Sequence, residues 1–221
     1  MPRLVLISDT HGLHKKIRVP DGDVLVHAGD FCSGGDEWQA RSFARWFLKQ
    51  PHAHKVVIAG NHDRCIEKDA ALGPQIFEGA TYLFDQEATV AGLRFYGSPW
   101  QPEFASWAFN LPRGEALRLV WAKIPAGVDV LVTHGPPFGV LDRTYADLFV
   151  GCDELRTAID RVQPRVHVFG HIHEGAGTHE EGRTLFANAS ICTEGYEPKN
   201  PPIVLDLPLA RGAASVVRHN V

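Results

Sequence analysis

Five short stretches of this chain carry the nitrogen and oxygen donors that hold first-row metal ions: Asp9-Thr10-His11, Gly29-Asp30, Gly60-Asn61-His62-Asp63, Thr133-His134-Gly135 and Gly170-His171-Ile172-His173. Asp9 and His11 are two residues apart, so on an extended strand end both side chains point to one side and reach one ion. Asp30 has two carboxylate oxygens to share between two cations at the roughly 3.5–4 Å separation of two-metal sites, and Gly29 permits close backbone approach. Asn61 offers an amide oxygen, and His134 and His171 offer imidazoles, which makes a second mixed shell; His173 can return to the first ion. A shell of imidazole, carboxylate and amide without thiolate favours first-row metals over calcium or magnesium. Two divalent ions are expected, manganese first, with iron, zinc, cobalt and nickel as alternatives.

Such a pair of ions performs phosphoryl chemistry. Two divalent cations less two carboxylates and a bridging hydroxide leave roughly +1, which attracts a phosphate to an acidic chain. The ions lower the pKa of a shared water from about 15.7 toward neutrality, so no Ser or Cys nucleophile is needed. His62 follows Asn61 directly and points elsewhere, free to protonate the departing oxygen. Asp63 is expected to fix the His62 tautomer through a hydrogen bond. His62 and Asp63 are the expected catalytic pair.

Each donor group follows an apolar run that reads as a buried parallel strand: Leu4-Val5-Leu6-Ile7, Val24-Leu25-Val26, Val56-Val57-Ile58, Val130-Leu131-Val132 and Val166-His167-Val168-Phe169. In open α/β sheets, ligands bind in the crevice beyond the carboxyl ends of the strands. Residues 36–50 carry Ala40, Phe43, Ala44 and Phe47 at helical spacing, as do Leu117, Val120, Trp121 and Ile124, and Cys152, Leu155, Ile159 and Val162. The strand–helix alternation predicts parallel pairing with crossovers. Short strands are expected at 184–187, 203–207 and 215–218, forming a second sheet packed on the first, and another at 93–96 before a long aromatic loop. With 221 residues and 44% hydrophobic content, one α/β domain spanning residues 1–221 is expected. Outside the donor groups, His14, His27, His52, His54, His167, His179 and His219 read as ordinary core or surface residues.

A formal charge of -4, with no run of Lys or Arg longer than two, argues against an extended nucleic-acid surface. No stretch approaches the roughly 18 apolar residues of a membrane helix, and the N-terminal residues run directly into a strand. A soluble, cytoplasmic protein is expected. Cys32, Cys65, Cys152 and Cys192 are widely spaced and read as reduced thiols.

At these residues the chain resembles the calcineurin-like metallophosphoesterase superfamily, whose pattern runs D-x-H, G-D, G-N-H-D or G-N-H-E, H, and G-H-x-H. The resemblance covers Asp9 to His173. It implies a four-layer α/β/β/α sandwich of two packed mixed sheets, with a dinuclear site at the sheet ends. It assigns Asp9, His11, Asp30 and His173 to one metal and Asp30, Asn61, His134 and His171 to the other. A narrower likeness rests on Ser98-Pro99-Trp100, Phe109-Asn110-Leu111-Pro112-Arg113-Gly114, Thr133-His134-Gly135-Pro136-Pro137, His171-Ile172-His173-Glu174-Gly175, Asn188-Ala189-Ser190 and Asn200-Pro201-Pro202-Ile203. These resemble the metallophosphoesterase-domain-containing proteins and their bacterial relatives. That branch implies metal-dependent phosphodiesterase activity, cyclic nucleotides included. Some of its members have Gly in place of His171; this chain keeps the histidine. Protein Ser/Thr phosphatases place Asp-Arg-Gly after the G-D block, whereas Asp30 here precedes Phe31-Cys32-Ser33-Gly34-Gly35.

Candidate substrate contacts are Asn61, His62, Trp100, Arg113, Arg143 and Asn188. In the loop spanning 100–110, Phe104, Trp107 and Phe109 either stack a nucleobase or cover the core, and covering is the favoured reading. The expected enzyme is a dinuclear metal-dependent phosphodiesterase acting on a small diester or nucleotide. The alternatives are a nucleotide or protein phosphomonoesterase, or a non-catalytic nucleotide-binding module. The oligomeric state is left open.

Overall fold

The five apolar runs become interior strands of two six-stranded sheets in a computed structural model that describes residues 1–210 and 213–217. Interior strands are covered on both faces, which is why these runs are continuously apolar rather than alternating. The first sheet begins with β1 (Arg3–Ile7), β2 (Val24–His27), β3 (His54–Val57) and β4 (Thr81–Tyr82), all parallel. The second holds β5 (Gln86–Val90) and β6 (Leu93–Ser98). A two-stranded ribbon, β7 (Gln101–Pro102) and β8 (Asn110–Leu111), interrupts before the second sheet resumes with β9 (Val130–Thr133), β10 (Val166–Phe169), β11 (Gly177–Glu181) and β12 (Thr184–Asn188). Strands β6, β9, β10 and β12 run parallel, with β5 and β11 as antiparallel edges. The chain then returns to the first sheet with β13 (Ile203–Asp206), antiparallel to β1, and β14 (Ser215–Val216).

That return corrects one expectation. The late strands do not form a sheet of their own: β12 joins β10 in the second sheet, and β13 and β14 extend the first. Each would otherwise leave an interior strand with a bare edge of unpaired N–H and C=O groups. Position 218, expected at the end of the last strand, lies outside the described residues.

Helices α1 (Glu37–Leu48), α2 (Arg64–Lys68) and α3 (Leu72–Ile76) cover the outer face of the first sheet, and α4 (Glu115–Ala122) and α5 (Asp153–Val162) that of the second. Side chains alternate across β1: Leu4 and Leu6 enter the core between the sheets with Val24, Val56, Phe95, Val130 and Val168. Val5 and Ile7 face outward onto Phe43, Phe47 and Phe77 beneath α1. Phe43 stacks on Phe31 and Phe47 at 5.0 and 5.3 Å between ring centroids. The third core packs Leu131, Phe169 and Phe186 against Trp121, Leu155 and Ile159. Three apolar cores between four layers give the α/β/β/α sandwich. Removing a ring such as Phe47 would cost about 3–5 kcal/mol. All four cysteines are free thiols, and among the described residues no helix is long and apolar enough to cross a membrane.

Candidate metal centre

The donor residues lie past the strand ends, in turns whose backbone most residues avoid. Asp9, His11, Asp30 and His171 have φ of 51°, 41°, 60° and 69°, left-handed conformations that cost roughly 1–2 kcal/mol per residue and that Asp and His tolerate better than most. The expectation that Asp9 and His11 share a side of an extended strand is therefore corrected: β1 stops at Ile7. A turn brings the two together, fixed by Asp9 N–H to Gly29 O and His11 N–H to Asp30 O, both 3.0 Å. Close approach requires two glycines. Gly29 has φ 101°, and a Cβ there would lie 2.7 Å from His134 Nδ1. A Cβ on Gly170 would run into the Asp9 carboxylate.

The turns bring the expected donors from both sheets to one place. Asp30 Oδ2 lies 3.4 Å from His134 Nε2, 3.9 Å from His11 Nε2 and 4.0 Å from His62 Nε2. Asp9 Oδ1 lies 3.4 Å from His173 Nε2 and 3.9 Å from His11 Nε2, and the two imidazole nitrogens of His11 and His173 face each other at 3.3 Å. Asn61 Oδ1 sits 2.8 Å from both His134 Nε2 and His171 Nδ1. Two donors at adjacent positions around an ion, each about 2.1 Å from it, lie roughly 3 Å apart. The separations from 2.8 to 3.4 Å fit that geometry, and those of 3.9 and 4.0 Å suit donors set at wider angles. Three overlapping groups stand close enough to share an ion: Asp9, His11 and His173; Asp9, Asp30 and His134; and His11 and Asp30 with His62, whose Nε2 is the most distant of these donors at 4.0 Å from Asp30 Oδ2. Asp9 and Asp30 are buried, and buried carboxylates demand compensating positive charge.

Burial alone would raise the Asp9 carboxyl, but the hydrogen bond and charge of His173, with His134 and His11 behind, hold it well below the ordinary carboxylate range. Asp30 is likewise depressed, its burial outweighed chiefly by His134. In return His134, despite its burial, is pushed up to about 9 by Asp30 and Asp9. Burial drives His11 down to about 4 and His171 to about 3. These shifts favour an imidazolium at His134 beside the two carboxylates.

Backbone carbonyls orient several rings. Ala28 O, Thr193 O and Ser33 O lie 2.9, 3.0 and 2.7 Å from Nδ1 of His134, His173 and His62. Each carbonyl accepts from Nδ1–H, which leaves Nε2 aimed at the centre. Ser190 Oγ lies 2.9 Å from Asp9 Oδ2 and 2.8 Å from Asn188 Oδ1. His27 and His167, read as core residues, are buried and sit 3.1 and 2.8 Å from the hydroxyls of Thr10 and Thr133, beside the donor residues.

Asp63 does not orient His62. Its buried carboxylate accepts the backbone N–H groups of Asp30, Gly60 and Cys32 at 2.9, 2.8 and 2.8 Å, while His62 turns the other way onto Ser33 O. Asp63 fixes the turn that carries Asp30. Four expected substrate contacts also lie elsewhere. Trp100 packs against Phe84 and Phe109 and donates Nε1–H to Asp85 at 3.2 Å, because its large apolar body is better served by the core. Arg113 commits its guanidinium to Gly151 O and Val150 O, both at 2.8 Å. Arg143 is exposed and neutralised by Asp147, four residues on in sequence. Asn188 is buried, donating to Ile172 O at 2.7 Å, which steadies the turn between His171 and His173.

Above the donors lies a cavity of about 370 Å³. His11, Asp30, Asn61, His62, His171 and His173 line it, with Phe104, Trp107, Tyr196, Glu174 and Glu194 completing the wall. The aromatic loop thus divides: Phe109 covers the core, as Trp100 does, while Phe104 and Trp107 reach the cavity. Sequence reasoning missed Tyr196, whose ring lies 4.8 Å from that of His11. It sits in an irregular turn with no periodicity, and its φ of 56° cannot be read from residue type.

The model of the calcineurin-like phosphoesterase family matches residues 2–175. Metallophosphoesterase domain-containing protein 1 of Homo sapiens is 46% identical over 236 residues, covering 96% of this chain and 72% of that protein. The UPF0046 protein T07D4.2 of Caenorhabditis elegans is 39% identical, covering 94% of this chain and 60% of its own length. One solved structure shares the fold with a TM-score of 0.73 at 17% identity, covering 99% of both chains. The structure of TT1561 of Thermus thermophilus does so with 0.66 at 14% identity, covering 98% of both.

Proposed function

The chain belongs to the calcineurin-like phosphoesterase family, and from that premise we propose that it is a phosphodiesterase acting on nucleotides, cyclic ones included, with two divalent ions, manganese first. Asp9, His11, Asp30 and His173 would hold one ion, and Asp30, Asn61, His134 and His171 the other. Bound there, the ions supply an acidified water and neutralise charge on the phosphoryl oxygens.

The chain's own residues do the rest. Asp30, its carboxylate set between His11 of one donor group and His134 of the other, would contribute to both. His62 donates Nδ1–H to Ser33 O and presents Nε2 beside Asp30 at the cavity floor; as the imidazolium it would give the Nε2 proton to the departing oxygen and be left neutral with its hydrogen on Nδ1. Phe104, 61% exposed and 6.4 Å from the His171 ring, offers an open face for a base. The observation that carries diester over monoester is the composition of the wall. None of the described residues lining the cavity is Lys or Arg, and Glu174 and Glu194 stand at it. A cation beyond the metals would favour a monoester dianion, whereas a diester carries one negative charge and gains less from one.

The test is turnover of metal-reconstituted protein on matched diesters and monoesters, including 3′,5′-cyclic and 2′,3′-cyclic nucleotides. Diesters should be hydrolysed faster, and His62→Ala should retain metal while losing about 10²–10⁴-fold in rate. Faster monoester turnover with the same metal would overturn the diester reading. Binding of metal and nucleotide without turnover would overturn the enzyme reading.

A further inference from the structure

The loop between β7 and β8 is fastened to the turn that carries His62. Ala108 N–H donates to Asn61 O at 3.1 Å, Phe109 N–H to Glu67 Oε1 at 2.6 Å, and Arg64 Nη2 to Ser106 O at 2.9 Å. Asn110 Nδ2 lies 3.1 and 2.9 Å from Phe104 O and Ala105 O, closing the loop on itself. So held, the loop lays Trp107 against His62, with ring centroids 4.0 Å apart and planes 28° from parallel. The Arg64 guanidinium packs over the same indole, 4.5 Å from its centroid. The Ser33 carbonyl on Nδ1 fixes one axis of the imidazole, and a flat surface is needed to stop rotation about it.

We propose that Trp107 is a positioning residue that holds the His62 ring in the plane from which Nε2 reaches the departing oxygen, and that it is not a platform for the substrate's base. The inference rests on the assignment of His62 as the acid. With the indole occupied by the imidazole and the guanidinium, Phe104 and Tyr196 are left as the cavity's exposed aromatic surfaces for a base.

A positioning role shows itself in the leaving group, because a poor one needs the proton and a good one does not. The test uses metal-loaded protein and a series of methyl aryl phosphates from dinitrophenyl to phenyl. Trp107→Ala should raise the dinitrophenyl-to-phenyl ratio of kcat by about tenfold or more, Trp107→Phe should restore most of the wild-type ratio, and His62→Ala should raise it further. In the His62→Ala background, Trp107→Ala should add less than about twofold, since the two act as a unit. Independently of activity, the His62 imidazole proton resonances of metal-free protein should lose their ring-current shift in Trp107→Ala.

Equal loss across the series, a rise in KM with kcat maintained, or unmoved His62 resonances would overturn the proposal. An unaltered ratio in His62→Ala would remove the acid assignment beneath it. If wild type prefers monoesters, the diester reading fails alone, and aryl monophosphates read the same ratio.

Discussion

The two sheets contribute opposite halves of the centre. Strands β1, β2 and β3 end at Asp9, His11, Asp30, Asn61 and His62, so both carboxylates come from the first sheet. Strands β9 and β10 end at His134, His171 and His173, imidazoles alone. The half from the first sheet is not stable by itself in a dry interior: two buried carboxylates repel each other and lose their hydration. Sheet packing and charge compensation are therefore one event. The imidazolium of His134, drawn from the second sheet, does in the metal-free protein part of what divalent cations would do.

Three measurements probe this division of labour. Asp30→Asn removes the carboxylate that faces His134, His11 and His62, and should abolish metal binding and lower turnover more than about 10³-fold, checked by metal analysis beside kinetics. Retained metal with full activity would separate the two halves. Metal affinity should fall with acidity more gradually, by up to about tenfold per pH unit below the His134 value of about 9, because the imidazolium must lose its proton to become a donor. Proton release on metal addition, followed by calorimetry in buffers of different ionisation enthalpy, checks it.

The smallest effect concerns stability without metal. His167 is lowered from 6.5 to about 3 by burial, so between those values the unfolded chain binds a proton that the folded one does not. Its contribution is whole above pH 6.5 and is lost as pH falls, at about 1.4 kcal/mol per pH unit at most. His134, raised instead, works in the opposite sense: its contribution is present below 6.5 and is lost as pH rises through about 9. Denaturant unfolding of His167→Gln across the acid range should show a shallower loss than wild type.

The centre was legible because metal donors and strand ends are both written locally. A run such as Val130-Leu131-Val132 followed by Thr133-His134 reads as a buried strand that stops at a ligand. Family resemblance supplied the layering. What local reading missed depends on contacts between distant segments. Asp63 adjoins His62, so proximity suggested a pair, but the carboxylate serves amides more than thirty residues away at Asp30 and Cys32. Trp100 and Trp107 are the same residue type in one loop, and only packing against Phe84 sends one to the core while His62 claims the other. The fate of the late strands turned on which sheet edges stood open.

The pairing of β13 with β1 makes the first metal-bearing strand depend on some of the last described residues. Leu6 lies beside Ile203 and Arg3 beside Asp206, with the Arg3 guanidinium closing on that carboxylate at 2.9 Å. A chain emerging from the ribosome therefore presents the Asp9 turn long before the neighbour that seals its strand has been made. Loop-closure entropy over so long a separation slows that pairing. Maturation is thereby ordered in time: the nascent polypeptide seals this side of its earliest strand only after residues 203–206 have been made.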